Sequence, residues 1–103
     1  IRFNPVVVTG NGTIVDETFI QIDLASNATT VVNLTPRVGQ LFFISQTGDE
    51  TATTSVTLPS GVTWNGSNRS ATFNAAAETL VGFCPSATRC VVVENIGSVG
   101  FAD

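Results

Sequence analysis

Turn-forming residues break this chain at short intervals, and that spacing limits what it can fold into. TGNG stands at 9–12, QTGDE at 46–50, LPSG at 58–61 and WNGSN at 64–68. Gly and Asn tolerate positive φ, Pro fixes φ, and Asp and Ser bond back to the backbone, so these clusters are turns. Thr, Val, Ser and Asn dominate the segments between them, and strong helix formers are scarce. The segments alternate instead. In FIQIDLAS, Ile20, Ile22 and Leu24 share one face, and Gln21 and Asp23 take the other. TSVTLPSG places Val56 and Leu58 together. In VGQLFFISQ, Leu41 and Phe43 oppose Phe42 and Ile44, the pattern of a strand buried on both faces.

Period-2 alternation predicts strands near 2–9, 13–25, 29–35, 40–46, 53–58, 61–64, 70–74, 78–84, 90–95 and 98–101. NAAAE at 74–78 is long enough only for a turn. The expected fold is all-β: residues 1–103 form a single antiparallel β-sandwich or a jelly-roll-like small barrel, with no internal repeat. At 103 residues a chain buries a modest share of its surface, so oligomerisation is expected to complete the core. Residues 1–10 form an edge strand or an N-terminal arm, and Pro5 fits an edge. A chain that begins at Ile1 reads as processed or cut from a longer parent.

The two cysteines bracket CPSATRC, residues 84–90, with apolar runs on both sides. Two strands joined by five residues make a hairpin, with Cys84 and Cys90 facing each other across its base. Zinc needs about four Cys or His ligands, and the chain has two Cys and no His. A thiol nucleophile needs a base, and a redox pair has closer spacing. The remaining readings are a hairpin disulfide, which is favoured, and two partly buried free thiols. A disulfide closing so short a loop contributes about 2 kcal/mol in the loop-entropy description and implies an oxidising setting.

Other chemistry is sparse. Eight acids face four arginines, with no Lys, His, Met or Tyr. Nucleic acid and anionic membranes need clustered cations, so neither is expected as a partner. No apolar run approaches the roughly 20 residues of a membrane helix. Asp16-Glu17 and Asp49-Glu50 are the adjacent acids that calcium or glycoside chemistry would need. Solvated turn charge explains them more simply, and strand neighbours point to opposite faces. No catalytic residue, metal site or cofactor is expected. Trp64, beside the turn NGSN, could stack on a sugar, although such a residue more often packs over a sheet edge. Asn65, Asn68 and Arg89 are the other candidate ligand or partner contacts. Asn-x-Ser/Thr acceptors occur at Asn11, Asn27, Asn33, Asn65 and Asn68, the third hindered by Pro36.

From Gly39 to Phe101 the chain resembles a known class. GQLFFISQTGD, VTLPSGVTWNGSNRSATFNAAAETLVGF and SATRCVVVENIGSVGF carry the resemblance. The shared features are a G-Q-x-F/I strand, an L-P-x-G turn, A-T-F-N-A-A, and S-A-T-R followed by an apolar strand and N-x-G-S-V. This pattern is similar to a small β-module in tailed-bacteriophage structural proteins of head-decoration, head-fibre and tail-fibre type. The position after Arg89 is commonly Trp in that pattern and is Cys90 here. The resemblance implies a non-enzymatic homotrimer on the virion surface that binds the major capsid protein or another virion component. Two alternatives stand beside it. An extracellular cell-surface filament subunit would donate an arm containing Ile1, Phe3, Val6 and Val8 to its neighbour. A carbohydrate-binding or adhesion module would take a glycan near Trp64.

Overall fold

Alternation produces the strands, and the side each strand buries assigns it to a layer. The computed structural model describes residues 5–15, 17–23, 29–47, 53–75 and 77–102. Eleven strands lie among them: β1 (Val6–Val8), β2 (Gly12–Val15), β3 (Phe19–Ile22), β4 (Thr29–Thr35), β5 (Leu41–Gln46) and β6 (Thr53–Thr57). They continue with β7 (Thr63–Trp64), β8 (Ser70–Phe73), β9 (Thr79–Ser86), β10 (Arg89–Ile96) and β11 (Gly100–Ala102). A six-stranded sheet has the order β1-β3-β5-β9-β10-β7, and a five-stranded sheet has β11-β8-β6-β4-β2. The protein is an all-β two-layer sandwich, as its alternation predicts.

The winding differs from the expected antiparallel one. The first six strands alternate between the sheets, so each return to a sheet adds a parallel neighbour. In the six-stranded sheet Val6 faces Ile20, 14 positions on, and Ile20 faces Ile44, 24 positions on. In the other sheet Gly12 faces Val32, 20 positions on, and Val32 faces Val56, 24 positions on. The chain thus makes three flattened coils of a solenoid. Unequal coil lengths hide the repeat from the sequence. Antiparallel strands enter only afterwards: β9 on β5, β10 on β9, β8 on β6 and β11 on β8. β7 is short and lies parallel to β10 at the far edge. Five parallel ladders exclude the jelly roll and the simple antiparallel sandwich.

Two further expectations change. The segment 13–25 is not one strand: β2 and β3 belong to different sheets, and the chain crosses at Glu17–Thr18. Phe43 N donates to Thr18 O (2.7 Å) and Gln40 Nε2 to Glu17 O (2.7 Å), which anchors the crossing. Period-2 patterning specifies faces but not where a chain changes layer. Second, Val6 and Val8 belong to no free arm. β1 pairs with β3 of its own chain, and Asp23 N donates to Val8 O (2.8 Å). Ile1 and Phe3 lie outside the described residues.

Inward side chains stack in ladders across the coils. Val6, Ile20, Ile44 and Leu80 form one, and Val32, Val56 and Ala71 another. Phe42, Phe73, Leu34 and Trp64 fill the space between the layers, each 1% exposed or less. Gly82 faces Phe42 across β5 and β9, and a Cβ there would run into the ring.

Candidate functional site

The residues singled out by sequence converge at the far end of the sandwich. β9 and β10 form a hairpin, and the expected five-residue connection shrinks to a turn at Ala87–Thr88. Pro85 and Ser86 continue β9, because pairing extends past the cysteines as far as Ser86 and Arg89. Cys84 and Cys90 are joined by a disulfide, and both are buried. β10 bulges between Arg89 and Val91, so Cys90 sits where the ladder shifts register.

β7 docks beside that bulge. Cys90 pairs with Trp64, and Asn65 N donates to Cys90 O (2.8 Å). Asn65, at φ 51°, turns its side chain back so that Oδ1 accepts from Val92 N (3.0 Å). Trp64 N donates to Asn68 O (2.7 Å), closing the turn between them. The Arg89 guanidinium lies over this turn, where a side chain at Gly66 would meet it. Trp64 itself is buried, edge-on to Phe42 (5.5 Å between centroids) and inclined to Phe101 (6.1 Å). Its ring is therefore not offered to a sugar. The constellation Trp64, Asn65, Asn68 and Arg89 locks β7 onto the hairpin, and Arg89 and Asn65 keep exposed surface.

Other motif residues also serve as turn closures. Arg69 Nε and Nη2 donate to Leu58 O (3.2 and 3.0 Å) above the LPSG turn. Asn95 Nδ2 donates to Val99 O (2.9 Å) and its Oδ1 accepts from Val99 N (2.8 Å), spanning a turn in which Gly97 and Ser98 have positive φ. Glu78 is 2% exposed, and its Oε1 accepts from Asn74 N (2.6 Å) and Ala75 N (2.9 Å). This closes the turn predicted at 74–78. Asp16, Asp49 and Glu50 lie outside the described residues, as does Asn27. No group of three or more His, Cys, Asp or Glu suited to a metal occurs among the described residues. Asn11 is exposed, but its Oδ1 accepts from Val31 N (2.9 Å), and Asn33 is exposed in the middle of β4.

The surface that sequence reasoning missed is the outer face of the six-stranded sheet. Leu41, Phe83 and Val91 form one cross-strand row, and Phe19, Phe43 and Val81 the next. Phe19 and Phe43 stack at 5.1 Å and 6°. Leu41 is 42% exposed and Phe83 37%. Leu41 and Phe43 were expected inside a strand covered on both sides, but the chain supplies only the inner layer. The opposite outer face carries Thr13, Asn33, Thr35, Ser55, Thr57 and Thr72 together with the exposed Val15 and Val31, and the Thr57 and Ser70 hydroxyls are bonded at 3.0 Å. The signal for the apolar face is the loss of alternation in LFFI, LVGF and CVVV.

The chain matches no protein-family model and no curated protein.

Proposed function

We propose that this protein is a non-enzymatic assembly module, a surface subunit of a tailed-phage virion of the decoration or head-fibre type. The observation that supports this reading best is the apolar outer face built on β3, β5, β9 and β10. Strands patterned for burial on both faces call for a second layer, and contiguous exposed apolar surface marks an interaction site. The opposite face is richer in hydroxyls and carries no aromatic row, although Val15 and Val31 are exposed on it, so the aromatic side is the better candidate for burial. Sparse charge and the absence of His and Lys favour packing over catalysis. The resemblance of residues 39–101 supplies the virion setting, the capsid as partner and a threefold stoichiometry.

The test joins two measurements on the purified protein. Light scattering behind size exclusion is expected to give a discrete closed oligomer, and the protein is expected to co-sediment with phage particles from its source. Phe83→Asp should abolish both. A wild-type chain that is monomeric at all concentrations and stays in the supernatant would overturn the proposal.

A further inference from the structure

The outer face of the six-stranded sheet carries charge as well as apolar rows, and the charge is sorted along the strands. β5 begins, β9 ends and β10 begins at the hairpin end of this sheet. Arg89 stands there in the first position of β10, and Arg37 in the turn before β5, where its backbone N–H donates to Gln40 Oε1 (2.9 Å). β10 then runs through Val91 to Glu94. β3 lies parallel to β5, so Asp23, which follows β3, sits at the end away from the hairpin. These four charged residues are exposed. Among the described residues, Glu17 is the acid that departs from this sorting, half-buried at the crossing into β3.

The register places two of these charges on either side of the apolar rows. Arg89 and Val91 alternate with the buried Cys90, and the shift between Val92 and Glu94 sets Glu94 beside the outward Val81. Along β10 the order is therefore cation, apolar row, anion. Arg89 and Glu94 lie about 15 Å apart along the strand. Neither has a side-chain hydrogen bond or an ion pair among the described residues. Next to Arg89 comes the row Leu41, Phe83 and Val91, and in line with Glu94 the row Phe19, Phe43 and Val81. A face with cations at one end, acids beyond its middle and apolar rows between is complementary to itself turned end for end.

We infer that the occupant of this face is a second copy of the chain, turned by a two-fold axis that runs between the two faces and across the strands. The axis passes over the boundary between the two apolar rows. Each copy's Leu41–Phe83–Val91 row then packs on the other's Phe43–Val81 row, at the roughly 10 Å spacing of stacked sheets. Each Arg89 comes toward the other copy's Glu94, so the charge contact forms twice, as an isologous interface requires. An unrelated partner needs a charge pattern that matches its own surface. End-for-end complementarity is what a copy of the same face needs. The contact gives dimers, or pairs of trimers where a threefold contact also exists.

This inference rests on the assembly reading of the same face and names its partner. The test is the dissociation constant, from molar mass across a concentration series, of wild type, Arg89→Glu, Glu94→Arg and an equimolar mixture of the two variants. Each variant alone sets like charges against each other at both contacts, and is expected to weaken association about tenfold. In the mixture every charge again meets its opposite, with the places exchanged, so a mixed dimer should form with wild-type affinity. Glu94→Arg lies outside the β7 turn and tests the pairing even if Arg89→Glu disturbs that turn. Glu94→Arg associating like wild type, or a mixture of two folded variants no stronger than each alone, would overturn the inference. Loss of assembly in Phe83→Asp would then still mark the face as an interface. A monomeric wild type that co-sediments with phage particles would overturn the second copy as occupant and leave the proposed function standing.

Discussion

At the scale of single residues, the polar and glycine positions serve the backbone. Glu78 is the clearest case: a buried carboxylate whose oxygen holds two backbone N–H groups of the turn before β9. Removing the acceptor takes away two part-buried hydrogen bonds, a cost of about 1–3 kcal/mol. Glu78→Ala should lower the urea-unfolding free energy by that amount. Gly82 is set by space, because the Phe42 ring occupies the volume a Cβ would need. Gly82→Ala should cost about 1–3 kcal/mol through forced displacement of the ring, read from the same unfolding curves. Trp64, the chain's sole tryptophan, reads as a candidate sugar platform because a turn follows it, but long-range packing against Phe42 and Phe101 buries it. Its fluorescence should be shielded from acrylamide in the folded protein and unmoved by added glycans. Strong quenching in the native state would contradict the buried position.

Among the elements, the β9–β10 hairpin organises the far end. It contributes the disulfide, pairs with β5 and β7, and fixes the turn that carries Asn65. The cross-link constrains the unfolded chain over a short loop, worth about 2 kcal/mol. The double variant Cys84→Ala/Cys90→Ala should therefore keep the all-β circular dichroism spectrum and lose roughly that stability. Complete unfolding of the variant at room temperature would show that β7 and the Trp64 packing depend on the cross-link. Strand positions in this half were legible because each strand is bounded by turn residues, and β9 is followed directly by its antiparallel partner β10. β1, β4, β5 and β6 were legible as strands while β2 and β3 ran together as 13–25, and none was legible as part of a coil, since nothing in local alternation tells a chain to cross to the other layer.

For the whole molecule, the sandwich has unlike surfaces. One outer face carries the aromatic rows, and the other is richer in hydroxyls with Val15 and Val31 among them. Phe83→Asp and Leu41→Glu replace side chains that are 37% and 42% exposed, so each also removes part-buried apolar area and should lower monomer stability by about 1–2 kcal/mol. Each should lower the assembled mass seen by light scattering. Equal mass in both variants would place the subunit contact elsewhere.

The sequence by itself determined that the protein is all-β, which residues face inward along most strands, and where the turns fall. These depend on local chemistry: period-2 alternation, and the φ preferences and short-range hydrogen bonds of Gly, Asn, Asp and Pro. It also placed Cys84 and Cys90 on facing strands of one hairpin. Only the tertiary structure decided the parallel winding, the burial of Trp64 and the exposed row of Leu41, Phe83 and Val91. Each depends on which layer a strand joins and what lies beyond it. That outcome is set by packing between residues 14 to 24 positions apart and more, which no local pattern encodes.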